Sequence, residues 1–236
     1  MAKKKIAVLT GAGVSAESGL STFRGSGGLW GEYDPQEVAS IEGWYRNRKL
    51  VLSFYNQLRK QLSEVKPNAA HRGLVELEKY FDVDVITQNV DDLHERAGSS
   101  NVLHLHGELM KVRSLRDESR VYQLPCDQLT DKGLVTSVDT RDSYGDPVRP
   151  HIVFFQEAVP NFDRACMLAQ KADVFVVIGT SLVVYPAASL LHYAPRNAQV
   201  YYIDPNPSAV PDYVHVIAKP ATEGVAELFE ILTKQQ

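Results

Sequence analysis

Short, mainly apolar runs rich in Val and Ile punctuate the chain at 6–9, 83–86, 102–105, 152–155, 174–178, 200–203 and 214–217, with Asp84, His104 and His215 the polar residues among them. Runs of that length and character fit strands buried on both faces, as in a parallel sheet covered by helices. Between them lie segments of mixed character, of which 68–79, 90–97, 163–170 and 222–233 read as helices. The alternation predicts an α/β fold, a doubly wound, Rossmann-like parallel sheet. Two stretches break the rhythm. In 31–66, Val51, Phe54, Leu58 and Leu62 recur at helical spacing, which predicts a long amphipathic helix inside an insertion. The second, 113–149, is polar, carries a charge cluster at 114–120 and has only weak strand character. The expected organisation is a dinucleotide-type domain from 1–30, 78–112 and 150–236, with a smaller lobe formed by the insertions 31–77 and 113–149.

Composition narrows the function classes. The 236 residues are 44% hydrophobic, with 25 basic and 29 acidic side chains for a net charge of −4. Disorder is excluded, no run approaches the ~20 apolar residues of a membrane span, and the charge gives no reason to expect a nucleic-acid or membrane partner. Basic residues at 3–5 precede an apolar run too short for a secretory signal, so a cytoplasmic protein is expected. Cys126 and Cys166 are the only cysteines, which excludes a disulfide framework and an all-thiolate zinc site.

The chemically distinctive residues fall just after the apolar runs: 10–13, 87–89, 104–107, 155–157, 179–181 and 204–206. In an open parallel sheet those positions converge on one crevice. Gly11, Gly13 and Ala16 fit the small-residue pattern of a dinucleotide turn. The acidic residue that an ordinary dinucleotide fold places ~20 positions later has no counterpart at the end of a second strand, which disfavours a standard nicotinamide dehydrogenase.

The ordered set of motifs resembles the sirtuins, the NAD-dependent protein lysine deacylases. It comprises GAGVSAESG at 11–19, TFRG at 22–25, GLW at 28–30, TQNVDDLH at 87–94, HLHGEL at 104–109, PHIVFF at 150–155, GTSL at 179–182 and IDPNP at 203–207. The resemblance implies that His106 is the catalytic base. Imidazole suits proton removal from a ribose hydroxyl near neutral pH. It implies that Asn89 and Asp91, with Gln88, surround nicotinamide and its ribose. Phe23 and Arg24 would lie over the cofactor. Gly11, Ala12, Gly13, Gly179, Thr180, Ser181 and Ala221 would complete the cofactor set, and Asp204 would meet the adenosine ribose, favouring NAD over NADP. An acylated lysine peptide would add as a strand along Val153 and Phe155, next to Gln156, where the family usually has Gly. In the implied chemistry the acyl oxygen attacks the ribose carbon as nicotinamide leaves, and O-acyl-ADP-ribose is released.

Two departures shape the expectation. Ser114 stands where zinc-type members have their first cysteine, so no zinc is expected and His104 and His106 are not read as a metal pair. Tyr55 matches the tyrosine of desuccinylating members. Their arginine position is Leu58, however, with Arg59 about 100° further round the helix, so a neutral acyl group such as acetyl is favoured over an acidic one held by Tyr55 and Arg59. An NAD glycohydrolase or ADP-ribosyltransferase on the same scaffold is the alternative, and a non-catalytic NAD-sensing module the second.

Overall fold

The computed structural model describes residues 3–20 and 29–234. Its strands are β1 (Lys5–Thr10), β2 (Asp82–Thr87), β3 (Val102–His104), β4 (Gly107–Ser114), β5 (Val121–Gln123), β6 (Val148–Ile152), β7 (Val174–Ile178), β8 (Gln199–Ile203) and β9 (Val214–Ile217). Its helices are α1 (Gly13–Ala16), α2 (Leu29–Glu32), α3 (Pro35–Val38), α4 (Ile41–Arg46), α5 (Arg48–Glu64), α6 (Ala69–Leu77), α7 (Leu93–Ala97), α8 (Phe162–Gln170) and α9 (Ala221–Thr233), with a 3₁₀ turn at Ala187–Tyr193.

Six strands form one parallel sheet in the order β3-β2-β1-β7-β8-β9. In the central strand, Val8 lies opposite Val85 on one side and Val176 on the other. Alternate residues of a strand face opposite sides, so β1 and β7 feed two cores. Ile6, Val8, Val176 and Ile178 pack against Leu74 and Leu77 of α6 and Val225 and Leu228 of α9. Ala7, Leu9, Phe175 and Val177 pack against Ala165 and Ala169 of α8 and against Leu190. Asn68 caps α6: its Oδ1 accepts from Ala70 N at 2.9 Å, while His71 Nδ1 accepts from Asn68 N at 3.2 Å. The chain leaves β1 toward β2 and β3, then returns to build β7, β8 and β9 on the other side. The winding reverses between β1 and β7, and a ligand crevice belongs at the carboxyl ends there.

One apolar run departs from expectation. Residues 152–155 do not enter the parallel sheet; Ile152 ends β6, and Phe155 makes an isolated bridge to Ser40. β6 instead flanks β4 in an antiparallel three-stranded sheet, β5-β4-β6. The interior of β4 carries Glu108, Lys111 and Arg113, which masked it as a strand in the sequence.

The amphipathic stripe of the first insertion is the buried face of α5. Val51, Phe54, Leu58 and Leu62 join Trp44, Leu109, Ile152 and Phe154 in a third core. Each such side chain stabilises the packing by roughly 1.5–3 kcal/mol. Between β5 and β6 the chain has little regular structure and is held by a polar centre. The Asp142 carboxylate accepts from Tyr122 Oη, Tyr144 N and Asp146 N, each at 3.0 Å, and pairs with Arg120 Nη1 at 3.0 Å. Arg120 also donates to Ser114 Oγ at 3.1 Å, pairs with Asp146, and stacks over Tyr144.

Candidate active site

A cleft of about 630 Å³ runs across the carboxyl ends of β1, β2, β7 and β8 and continues between the parallel sheet and the third core. Its floor is set by glycine. Gly13 N donates to Gly179 O at 2.8 Å, and a Cβ on Gly13 would lie 2.6 Å from Gly179 Cα. Gly179 has φ +61°, and a Cβ there would lie 2.5 Å from Val14 N. The turns after β1 and β7 therefore pack backbone on backbone, an approach that only glycine permits.

Next to this floor, the turn after β2 carries the polar cluster. Asn89 Nδ2 donates to Gly11 O at 3.0 Å and to Ser15 Oγ at 3.2 Å, and Asn89 N donates to Thr87 Oγ1 at 3.0 Å. Ser15 Oγ donates to Asp91 Oδ2 at 2.9 Å, and Leu93 N donates to Asp91 Oδ1 at 3.1 Å. Burial nevertheless raises the Asp91 pKa, because these donors offset only part of the cost of desolvating the carboxylate. Gln88 Nε2 reaches Thr180 Oγ1 at 3.1 Å, which links the turns after β2 and β7.

His106 follows β3 and lines the cleft. Its Nδ1 donates to Gln88 O at 3.0 Å, since a carbonyl can only accept. The neutral ring therefore keeps its lone pair on Nε2. Burial lowers the pKa, more than the Gln88 carbonyl restores, so the ring is neutral at neutral pH.

The structure brings together Gly11, Ala12, Gly13, Gln88, Asn89, Asp91, His106, Gly179, Thr180, Ser181, Asp204 and Ala221 around one cleft. Phe23 and Arg24 lie outside the described residues. Asp204 Oδ1 accepts from Asn206 N at 2.8 Å, which orders the turn after β8. Tyr55, Val153, Phe155 and Gln156 line the other end. Much of the 153–155 backbone is already engaged: Val153 N donates to His106 O, Phe154 N to Glu157 Oε2, Phe155 N to Ala39 O, and Phe155 O accepts from Ile41 N. The stretch expected to pair with a peptide thus ties the turn after β3 to the α3–α4 segment, and Gln156, exposed and at φ +74°, begins its outer edge.

Arg59 is not at the cleft. It is 0% exposed and donates to Leu109 O at 2.8 Å, Asn56 Oδ1 at 2.8 Å and Thr136 Oγ1 at 3.2 Å, tying α5 to the β5–β6 segment. Its expected role in substrate contact is corrected: one step round the helix turned it inward, while Leu58 lines the cleft beside Tyr55. The sequence reading missed Ser15, Thr87 and Glu157. Ser15 lay in plain view inside the glycine motif. Thr87 acts through the Asn89 N–H, and Glu157 through Phe154 N and the Arg149 guanidinium, contacts that carry no spacing pattern. Among the described residues no Lys or Arg lines the cleft, and no cluster of His, Cys, Asp and Glu could hold a metal.

Comparison with known proteins finds relatives over nearly the whole chain. The profile of the Sir2 family matches residues 11–186. An NAD-dependent protein deacylase of Bacteroides thetaiotaomicron is 54% identical over 97% of this chain and 98% of its own length. A mutant Sir2 homologue in complex with ADP ribose superposes with a TM-score of 0.87 at 36% identity, covering 99% of this chain and 93% of its own. A Sir2–p53 peptide–NAD+ complex superposes at 0.82 with 31% identity, covering 98% and 95%.

Proposed function

Because this chain belongs to the Sir2 family, we infer that its cleft is where NAD and an acylated lysine side chain meet. The protein is an NAD-dependent protein lysine deacylase of sirtuin type. It has the sirtuin Rossmann-like fold, uses NAD as co-substrate and acts on acylated proteins. NAD supplies the ribose carbon whose bond to nicotinamide is broken.

The residue roles are our assignment. The observation that carries it is the hydrogen bond from His106 Nδ1 to Gln88 O, which leaves Nε2 as the lone-pair nitrogen of a neutral ring on the cleft wall. Nε2 takes the proton from a ribose hydroxyl as that oxygen attacks the acyl carbon. Asn89, fixed through Gly11 O, Ser15 Oγ and Thr87 Oγ1, orients the nicotinamide ribose, with Gln88 and Asp91 beside it. The bare backbone at Gly11, Gly13 and Gly179, with Ala12, Thr180 and Ser181, fits the pyrophosphate and its ribose. Asp204 accepts from the adenosine ribose hydroxyls and disfavours an added phosphate there, and Ala221 closes the same end. Phe23 and Arg24 complete the cofactor set. The peptide lies along the outer edge near Gln156, with Val153 and Phe155 behind it, and the acyl group enters the apolar end between Tyr55, Leu58 and Ile152. With no cation lining that end among the described residues and Arg59 committed elsewhere, acetyl and other neutral acyl groups are preferred. Action in the cytoplasm, with no nucleic-acid or membrane partner, completes the reading; no helix among the described residues is long and apolar enough to cross a membrane.

The test is nicotinamide release from NAD with acetyl-lysine, succinyl-lysine and unmodified peptides in parallel. Release should require acylation and run at least about tenfold faster with acetyl than with succinyl, the preference expected where a buried carboxylate finds no partner. His106→Ala should lower turnover by roughly 10²–10⁴-fold with NAD binding retained. Equal release with unmodified peptide would instead make the protein an NAD glycohydrolase.

A further inference from the structure

His104 lies two residues before His106, at the end of β3, and its side chain does not line the cleft. Its ring is 8% exposed and fixed at both nitrogens: Nδ1 is 2.9 Å from Asn89 O and Nε2 is 2.7 Å from Glu95 Oε1 on α7. A carbonyl and a carboxylate both accept, so both contacts are made only when both ring nitrogens carry protons. His106 holds Gln88 O in the same way with one proton. Two histidines at i and i+2 therefore pin the adjacent carbonyls of Gln88 and Asn89, the turn that carries the polar cluster of the cleft.

We propose that His104, kept as an imidazolium by Glu95, is a positioning residue that fixes the Gln88–Asn89 turn and thereby sets the geometry of nicotinamide departure, a role that rests on the deacylase reading above. When the ring holds a single proton, the carboxylate competes for it more strongly than the carbonyl does. Asn89 O then faces a lone pair and the turn loses that anchor, while the Thr87, Gly11 and His106 contacts remain. The groups facing the ring are Glu95 and His94 on α7, Asp91 in the connection before it, and Glu108 on β4, itself paired with Lys111 at 2.7 Å. Burial works to lower the His104 pKa, but the Glu95 hydrogen bond and charge, the Asn89 carbonyl and Glu108 together raise it. Glu95 is correspondingly held below the usual carboxylate range although burial opposes this. The pKa values of the neutral base His106 and the charged His104 are thus shifted in opposite directions at one strand end. Turnover should rise with pH as His106 loses its proton and fall as His104 loses its own.

The experiment combines imidazole-nitrogen NMR on the intact protein with pH profiles of kcat for nicotinamide release. In the wild type the His104 ring should be doubly protonated at neutral pH, and the Asn89 amide resonance should move with the same midpoint as the alkaline limb of kcat. Glu95→Gln should shift that midpoint down by about one pH unit or more, the size of shift a close opposite charge produces. His104→Asn, which keeps a donor near the Nδ1 position, should abolish this limb. A neutral His104 ring at neutral pH overturns the proposal, as does an alkaline limb that coincides in the wild type and Glu95→Gln. If the variants do not fold, the wild-type titration alone decides. If the wild type releases no nicotinamide with acylated peptide, the deacylase reading falls, while the coupling of the His104 and Asn89 resonances still tests the positioning role.

Discussion

At the scale of single residues, the cleft keeps a backbone conformation that its own side chain disfavours. Gln156 has φ +74°, in the left-handed region, and its side chain is exposed at the edge proposed for the peptide. A residue with a Cβ is disfavoured there by about 1–2 kcal/mol, whereas glycine adopts the conformation freely. Part of that gain is lost because glycine also loosens the unfolded chain. Gln156→Gly should therefore raise stability by roughly 0.5–1 kcal/mol, read from the urea midpoint. If the amide serves the substrate, the same variant raises the peptide KM and leaves the NAD KM alone. A lower urea midpoint would mean that Gln156 makes native contacts that outweigh the strain. Leu58 and Arg59 carry the complementary lesson. The apolar spacing of α5 placed Leu58 on the inner face of the helix, where it both packs and lines the cleft. Nothing in that spacing showed that Arg59 would be fully buried, because its partners Leu109 O and Thr136 Oγ1 come from distant segments.

Among the elements, legibility follows from how each is stabilised. The central strands of the parallel sheet were visible because both faces are covered and their interiors are apolar; Ile6 to Leu9 of β1 and the whole of β7 are the clearest examples. β4 was invisible because Glu108, Lys111 and Arg113 interrupt its apolar residues and its register shifts between Gly107 and Val112, so no clean period of two remains. The segment between β5 and β6 was legible only as an absence, a polar stretch whose single cysteine, Cys126, leaves a thiolate zinc site incomplete. What organises it is the Asp142 carboxylate, 4% exposed, with donors from Tyr122, Tyr144, Asp146 and Arg120. Asp142→Asn removes the charge and sets an amide N–H against donors that need an acceptor. The variant should lower Tm by roughly 5 °C, the cost of leaving buried donors unmet in a chain of this size. A chelator should leave the wild-type Tm unchanged. An unaltered Tm in the variant would mean that the segment is held by its apolar contacts, Val112, Leu124, Leu129 and Val148, instead.

For the molecule as a whole, the site was legible where it coincides with strand ends and obscure where it depends on what lies beneath them. Beneath Asn89 the hydrogen bonds continue inward. Asn89 N donates to Thr87 Oγ1, which also accepts from Thr10 Oγ1 at 2.8 Å, and Thr10 Oγ1 in turn meets His94 Nε2 at 3.1 Å. His94 packs edge-on against His71, ring centroids 4.8 Å apart, and both residues are 0% exposed. His71 Nδ1 accepts from Asn68 N, so that ring is neutral. His94 Nε2 donates to Thr10 Oγ1, whose own proton goes to Thr87, so His94 Nδ1 is a buried lone pair without a partner. A proton on either ring puts charge into a dry site beside the other. Burial accordingly lowers His71 from 6.5 to about 4, and His94 well below its ordinary value. The unfolded chain binds these protons and the native protein does not, so the stability they contribute is complete above pH 6.5 and is lost as pH falls toward the folded value. For His71 alone the loss amounts to about 3 kcal/mol by pH 4. Glu157, whose pKa is lowered chiefly by Arg149 despite burial, adds to the loss only once pH drops into the carboxylate range. The urea midpoint measured from neutral pH to pH 4.5 should therefore begin to fall near pH 6, well before carboxylates titrate. His71→Gln, which carries no titratable ring, should make that early decline shallower, with His94 and His106 still contributing to it, even if it lowers stability at neutral pH. A midpoint that stays level down to pH 5 in the wild type would mean that the histidine pair is solvated and titrates as it does in the unfolded chain.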